Sequence, residues 1–249
     1  MRTSLSVVIG MYNEKENVEP VTSEIAGALE AAAIPYEIIC ISNGSTDGTE
    51  VALAEASRRN PRIRPIILKE KGYGNAVITG INAARNDLVI LVVGDGQTDP
   101  KDMLKAYEVM EKTNVDIVKP RRTRKDDDII RTALVKIYNL LVKVMFALPG
   151  WDVDGQPKVV KRDFFNKLNL ESKDFFIDTE MMIKTKYLGG SVAETQVNWR
   201  PRKLGIPFIA NALIATSWQY LKNILWWRIH YRRLIIQKLG ARSKNTYKE

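Results

Sequence analysis

The chain has 249 residues, a net charge of +9 and a single cysteine, Cys40. It is long enough to bury a full core, has no disulfide framework, which fits a reducing cytoplasmic setting, and nowhere keeps about 18 consecutive apolar residues, so a bilayer-spanning helix is not supported. The charge is uneven: residues 200–249 hold eleven Lys and Arg against one acid, a net of +10, which leaves −1 for residues 1–199. That asymmetry points to an anionic surface, lipid or nucleic acid, as the partner of the tail.

The opening run "LSVVIG" (5–10) turns polar too soon for the roughly 7–15 apolar residues of a secretion signal, so it reads as a strand. A helix over about 18–33, the strand-like "YEIICIS" (36–42) with Cys40 inside it, and a helix over 49–59 follow. Next come "IRPIILK" (63–69), a helix over 75–84, "DLVILVV" (87–93), a helix over 101–112 capped by Asp99 ahead of Pro100, and "VDIVKP" (115–120). Strands apolar on both faces and alternating with helices predict an α/β fold, a mostly parallel sheet covered by helices on both sides. Ligands of such sheets bind beyond the carboxyl ends of the strands, which singles out the loops after Gly10, Ile41, Lys69 and Val93.

After Pro120 the period changes. Ile130, Leu134, Ile137, Leu141, Val144, Met145 and Leu148 recur every three or four residues, which predicts an amphipathic helix ending at Pro149-Gly150. In "TSWQYLKNILWWRIHYRR", Trp218, Leu221, Leu225 and Ile229 share a helical face ringed by Lys222, Arg228, Arg232 and Arg233. That composition suits a helix lying in a membrane interface, and equally one docked on the protein's own core or on a second copy. The single histidine, His230, lies in this segment and reads as interfacial rather than as a base. The expected organisation is an α/β unit over 1–205 and a basic, Trp-rich amphipathic segment over 206–249.

Four loops that follow strands carry the polar residues. "MYNEKEN" offers Tyr12, Asn13 and Glu14, and "SNGSTDGT" offers Ser42, Asn43, Ser45 and Asp47. "KGYGN", with Gly74, matches neither a P-loop nor GxGxxG, and "GDGQTDP" offers Gly94, Asp95 and Gln97. Asn-Gly-Ser-Thr-Asp-Gly alone is also what a turn before a capped helix requires. Convergence of four such loops on one sheet edge is what points to a ligand.

In order and spacing, "VVIGMYNEKENVEPV", "ISNGSTDGT", "KGYGNAVITGINAA", "GDGQTDP", "DVDGQPKVVKR", "DTEMMIK" and "RKLG" resemble glycosyltransferase family 2, the inverting enzymes of GT-A fold. Within that family they are most similar to the dolichyl- or polyprenyl-phosphate sugar transferases, from Ser4 to about Gly205. The resemblance implies transfer of a sugar from a UDP- or GDP-linked donor, with Mg²⁺ or Mn²⁺, onto a membrane lipid phosphate. It implies nucleotide contacts at Tyr12 and Glu14, a metal held by Asp95 and Gln97, and phosphate contacts at Arg121 and Arg202; the four loops add Asn13, Ser42, Asn43, Gly74, Gly94 and Asp95 as expected nucleotide contacts. There are departures: Gly10 stands where a proline is usual, Ser42-Asn43 replace an Asp-Asp, Val93 replaces the first acid of Asp-x-Asp, and Pro207-Phe208 replace a Ser-Lys. Mg²⁺ is often held by only one or two carboxylates plus substrate phosphates, so Asp95 with Gln97 suffices at reduced affinity.

A phosphate acceptor is already ionised and needs little help from a base, whereas a hydroxyl acceptor would call on Asp152 or Asp154 of "WDVDGQPK", with Lys158 close enough in sequence to face a phosphate. The expected catalytic residues are Asp95, Asp152 and Arg131, and the expected acceptor contacts are Arg121, Lys158 and Arg202, because guanidinium pairs bidentately with phosphate. Arg122 and Arg124 belong to the same run, which beside "KDDD" equally reads as a solvated charge cluster. The expected setting is peripheral, on the inner face of a membrane, with a homo-oligomer left open. The alternative is a catalytically silent GT-A domain that binds a sugar nucleotide or a protein. A nucleic-acid module is disfavoured, since residues 1–199 carry no net positive charge and no recognition motif.

Overall fold

In the computed structural model, residues 2–123, 129–148, 150, 152–198, 200–202, 204 and 218–231 are described, the side chains of 123 and 129–132 excepted. The first half alternates as its apolar runs predict: β1 (Leu5–Met11), α1 (Lys15–Ala31), β2 (Tyr36–Asn43), α2 (Thr49–Arg59), β3 (Ile63–Leu68), α3 (Tyr73–Ala83), β4 (Leu88–Val93) and α4 (Pro100–Thr113). Asp99 caps α4 by accepting from the Lys101 N–H at 2.8 Å. Then come β5 (Ile117–Thr123), α5 (Ile129–Phe146), β6 (Lys158–Lys161), α6 (Arg162–Leu168), α7 (Ile177–Leu188), β7 (Val192–Asn198) and a helix α8 over 218–231.

The strands form one sheet in the order β3-β2-β1-β4-β6-β5-β7, in which β6 alone runs against the others. From β1 the chain steps outward through β2 to β3, then returns to the other side of β1 for β4. Strand order therefore reverses between β1 and β4, and the connections leaving their carboxyl ends diverge to open a crevice there.

Both faces of the sheet are covered, which is why its strands read as apolar runs rather than alternating ones. Val18, Ile25 and Leu29 of α1, Leu53 of α2 and Met103 and Met110 of α4 pack on one face. Val77 and Ile81 of α3, Phe164 and Phe165 of α6 and Ile177 and Met181 of α7 pack on the other. Cys40 is fully buried in β2, and burial pushes its thiol up to about 12.

A third cluster joins Val142 and Phe146 of α5, Met182 of α7, and Ile224, Trp227 and Tyr231 of α8. The terminal helix is thus docked on the protein by one face. Of the residues that the sequence groups into amphipathic stripes, Met145 and Leu148 pack with this cluster, whereas Leu134, Ile137, Leu141 and Val144 of α5, and Trp218, Leu221, Leu225 and Ile229 of α8, are exposed. Among the described residues no helix is long and apolar enough to cross a membrane.

One buried acid ties the amino-terminal ends of the strands together. Glu37 accepts from Ser6 Oγ and from the Arg85 N–H, each at 2.7 Å, and pairs with Arg64. Burial alone would raise this carboxyl, but the Arg85 N–H, the Ser6 hydroxyl and the Arg64 guanidinium outweigh it and hold the group below its ordinary 4.5. Replacing Glu37 with Gln is expected to cost about 1.5–3 kcal/mol at pH 7. A depressed carboxyl contributes stability above its unfolded value and loses it as pH falls through the folded one, so the gap between wild type and variant closes between pH 7 and pH 3. Urea unfolding at the two pH values measures this, and a gap that persists at pH 3 contradicts it.

Candidate functional site

The crevice at the strand reversal is a cleft of about 870 Å³. Its floor is made by the carboxyl ends of the first four strands and the loops that follow, with Gly10, Met11, Tyr12, Asn43, Gly72, Val93 and Asp95 on its surface. Residues 171–175, ahead of α7, and Asn223, Trp226 and Trp227 of α8 form the opposite wall. Three of the four loops singled out in the sequence thus place polar side chains in one cavity, and the "KGYGN" loop adds Lys71, Gly72 and Tyr73.

Glu14, 7% exposed at the start of α1, accepts from Asn17 Nδ2 and from Arg202 Nη2, each at 2.6 Å. Burial raises its carboxyl above 4.5 despite Arg202 and Asn17, and the nearby Asp95 adds to the rise. Arg202 also donates from Nε to the Leu204 carbonyl at 2.7 Å, so the family-pattern arginine does reach the cleft, but as a clamp on Glu14. Lys71 holds its ammonium 3.9 Å from the Tyr12 ring centroid, a cation–π contact.

Asn43 Oδ1 accepts the Gly72 N–H at 2.8 Å. A backbone donor requires the amide oxygen at that end, which fixes the flip and leaves the NH₂ as the end available to a ligand. Asp95 Oδ1 accepts the Gln97 N–H at 3.0 Å, and the Gln97 side-chain amide donates to the Arg200 carbonyl at 3.1 Å. One carboxylate and the remaining amide oxygen of Gln97 are therefore what the loop after β4 offers a divalent cation. Val93, where a second acid was expected, contributes only hydrocarbon, and no cluster of three or more His, Cys, Asp or Glu suited to a metal occurs among the described residues.

Four expected nucleotide contacts serve the framework and do not line the cleft. Asn13, at φ 53°, accepts the Thr46 N–H at 2.8 Å while its own N–H donates to Ser45 Oγ at 3.1 Å, which ties the first loop to the second. Ser42 is fully buried. Gly94 donates its N–H to the Gly10 carbonyl at 3.0 Å. Gly74 donates its N–H to the Lys173 carbonyl at 2.9 Å, and a Cβ there would fall 2.0 Å from the Ser172 carbonyl oxygen, so only glycine lets the two walls meet.

On the acceptor side the structure corrects the sequence. Lys158 is fully buried with its ammonium 2.6 Å from Asp178, so it faces no phosphate. Asp152, at φ 63°, is gripped by the N–H of Arg122 at 2.9 Å and by its guanidinium, and Asp154 lies 3.2 Å from the same group. Burial would lower the Arg122 pKa, but the two acids raise it, so the Asp152 carboxylate is engaged in a charge network with Arg122 rather than left open toward the cleft. Arg121, adjacent to that network, is exposed and does not line the cleft. Arg124 and the side chain of Arg131 lie outside the described residues.

The wall at 171–175 was not read from the sequence. Glu180 of α7, fully buried, accepts the N–H of Glu171 at 2.8 Å and of Ser172 at 2.7 Å, and its charge is met by Lys184 at 2.7 Å. Tyr73 stacks on Phe175 with centroids 5.0 Å apart, and Asn223 Nδ2 of α8 donates to Asp174 Oδ2 at 2.9 Å. The signal available was the acid–lysine spacing of four in "DTEMMIK", which suits a helical ion pair but says nothing of which loop it holds.

Asp152→Asn is expected to lower stability by about 3 kcal/mol, the low end for removing one partner of a buried pair, because Asp154 remains near Arg122. Urea unfolding measures it, alongside transfer assays per folded molecule. A loss of rate without a loss of stability would restore Asp152 as a base.

A family model described as "Glycosyl transferase family 2" matches residues 6–184. An undecaprenyl-phosphate 4-deoxy-4-formamido-L-arabinose transferase of Serratia proteamaculans is 29% identical over 141 residues, 56% of this chain and 43% of that protein. A dodecaprenyl-phosphate galacturonate synthase of Rhizobium johnstonii is 32% identical over 169 residues, 67% of this chain and 50% of that protein. The chain thus spans half or less of the length of these two curated relatives. Among solved structures, glucosyl-3-phosphoglycerate synthase from Mycobacterium tuberculosis, in complex with Mn²⁺, UDP and glucosyl-3-phosphoglycerate, superposes with a TM-score of 0.71 at 20% identity, covering 91% of this chain and 80% of that one. At that identity the likeness establishes the fold, a mostly parallel seven-stranded sheet of GT-A type.

Proposed function

Because the chain belongs to glycosyl transferase family 2, we propose that it transfers a sugar from a nucleoside diphosphate to the phosphate of a polyprenyl carrier at a membrane surface. The observation that carries this is the composition of the cleft. One end holds strand-end polar groups, Tyr12, Glu14, Asn43 and Asp95, and the other is closed by a tryptophan-bearing helix whose outward face is apolar.

At the first end, Tyr12 and the Asn43 NH₂ face the base and ribose of a UDP- or GDP-linked donor. Asp95 and the Gln97 amide oxygen suit Mg²⁺ or Mn²⁺, since Mg²⁺ is commonly held by one or two carboxylates with waters and substrate phosphates completing its shell. Such an ion would neutralise charge developing on the leaving diphosphate. An oxygen of the acceptor phosphate then displaces the nucleoside diphosphate in line at the anomeric carbon, which inverts it. The acceptor is ionised near neutral pH, as its second pKa is about 6, so no base is needed, in keeping with the engagement of Asp152 by Arg122.

Membrane contact is supported by the outward faces of α5 and α8. Ile137 and Val144 are 54% and 70% exposed, and Trp218 and Ile229 are 59% and 57% exposed, with Lys136, Lys222 and Arg228 on the same helices. Apolar side chains among cations suit a helix pair seated in an anionic interface, each basic residue adding about 1 kcal/mol near such a surface. The protein would then be peripheral on the cytoplasmic face.

Purified protein, given polyprenyl phosphate in vesicles, a panel of UDP- and GDP-sugars and Mg²⁺ or Mn²⁺, is expected to form a glycolipid detectable by mass spectrometry. Asp95→Ala is expected to reduce turnover roughly 100-fold and to abolish metal-dependent nucleotide binding in calorimetry. Tight, metal-independent nucleotide binding with no glycolipid from any donor would instead identify a silent binding domain. Separately, the double variant Leu225→Glu, Ile229→Glu is expected to stop sedimenting with anionic vesicles while retaining nucleotide affinity. Retained sedimentation would overturn the membrane assignment of α8.

A further inference from the structure

With Arg121 and Lys158 removed from the acceptor side, the cleft needs another cation for the acceptor's phosphate. We propose that Lys173 receives that phosphate and that Trp226 covers the first units of the attached hydrocarbon, so the acceptor enters between the 171–175 segment and α8. This rests on the transfer reaction proposed above, and it names a residue pair that the family pattern does not supply.

Among the described residues three cations line the cleft: Lys71, Lys173 and Arg202. Arg202 is committed to Glu14 and to the Leu204 carbonyl, and Lys71 sits over the Tyr12 ring. The Lys173 ammonium has no hydrogen bond or ion pair among the described residues, and its side chain is exposed. The acids beside it are already engaged. Glu171 is 3.1 Å from Lys184 Nζ, and Asp174 accepts the Phe176 N–H at 3.0 Å and Asn223 Nδ2 at 2.9 Å. The positive charge of Lys173 is therefore left for a ligand.

Its backbone, in contrast, is held firmly. The Lys173 carbonyl accepts the Gly74 N–H at 2.9 Å, and Glu180 takes the two N–H groups just before it. The ammonium thus swings on a fixed platform. Asn223, bonded to Asp174, sits one helical turn before Trp226, which both lines the cleft and is 54% exposed. Leu225 and Ile229, 53% and 57% exposed, continue the apolar surface outward. A ligand with an anionic head and a long apolar tail matches this run from cation to indole to exposed aliphatic face, as an amphiphile matches any cation set beside an apolar strip. In the reaction, a phosphate oxygen bonds to the anomeric carbon while the bond from that carbon to the diphosphate oxygen breaks, its electron pair leaving with the nucleoside diphosphate. No proton moves, and Lys173 holds the oxygens that do not attack.

The test uses the full chain with Lys173→Ala, Lys173→Arg and Trp226→Ala, at saturating donor, with a long-chain polyprenyl phosphate and a short soluble isoprenyl phosphate as acceptors. Lys173→Ala is expected to raise KM about tenfold for both acceptors while donor KM and calorimetric UDP affinity hold, and Lys173→Arg to restore most of the loss. Trp226→Ala is expected to raise KM for both acceptors, since both carry the first isoprenyl units, while donor KM holds. An unchanged acceptor KM in Lys173→Ala, or an equal rise in donor KM, overturns the assignment, the latter placing the ammonium on the donor diphosphate. If wild type forms no glycolipid, the transfer reaction fails, yet the phosphate site is still tested by tryptophan fluorescence. Wild type should then bind polyprenyl phosphate in micelles more tightly than polyprenol, and Lys173→Ala should lose that preference; an equal preference in the variant rejects the site.

Discussion

Neighbouring parallel strands whose connections leave in opposite directions cannot have their carboxyl ends covered by one helix, and in this chain the pair is β1 and β4. Every polar residue argued to meet the donor takes its place from that divergence. Tyr12 and Glu14 follow β1, Asp95 and Gln97 follow β4, and Asn43 reaches in from the end of β2. The crevice follows from backbone topology, so it persists although the loops have lost an acid at 93 and two at 42–43 relative to the family pattern. What differs is the chemistry that the second and fourth loops offer inside it: the Asp95 carboxylate and the Asn43 and Gln97 amides in place of a cluster of acids.

The second wall depends on charges placed where a sequence reader expects hydrocarbon. Residues Asp178, Thr179, Glu180, Lys184 and Thr185 of α7 are all buried. Each buried charge is met: Asp178 by Lys158, and Glu180 by Lys184 and two backbone N–H groups. Burial pushes the Asp178 carboxyl up and Lys158 opposes the rise. Satisfied networks of this kind are demanding in geometry, since losing one partner strands the other away from water. That demand is what gives residues 171–175 a definite position against α3, with Gly74 as the point of closest approach.

α8 links the two halves of the proposed reaction. Ile224, Trp227 and Tyr231 fasten it to α5 and α7, while Asn223 and Trp226 reach the cleft and Trp218, Leu221, Leu225 and Ile229 stay outside. α8 is thus apolar on two sides, the inner one packed on α5 and α7, and α5 likewise exposes Leu134, Ile137, Leu141 and Val144. The cleft and an apolar exterior therefore meet along one helix. In the proposed reaction the nucleotide sugar and the lipid-borne phosphate would approach the same cavity from different sides.

The first half of the fold was legible because periodicity there reports burial directly: β1 to β4 and α1 to α4 lie within a few residues of their expected bounds, and α2 matches them. β6, with four residues and a buried lysine, and α7, with its polar inner face, carry no such period, and neither was anticipated. The amphipathic stripes of α5 and α8 were found in the sequence, but only packing decided which face is inward, because both helices are apolar on more than one side. Among site residues, loop position brought Tyr12, Glu14, Asn43, Asp95 and Gln97 to the cleft, since strand ends on one sheet edge must converge, whereas Arg202 was expected there from the family pattern. Asp152 and Lys158 carried the right chemistry at a plausible place in the chain, yet the partners that neutralise them, Arg122 and Asp178, lie 30 and 20 residues away. Sequence by itself determined which strand ends and loops face a ligand; whether a charge in them is free or engaged was decided by contacts between distant segments, which no local pattern encodes.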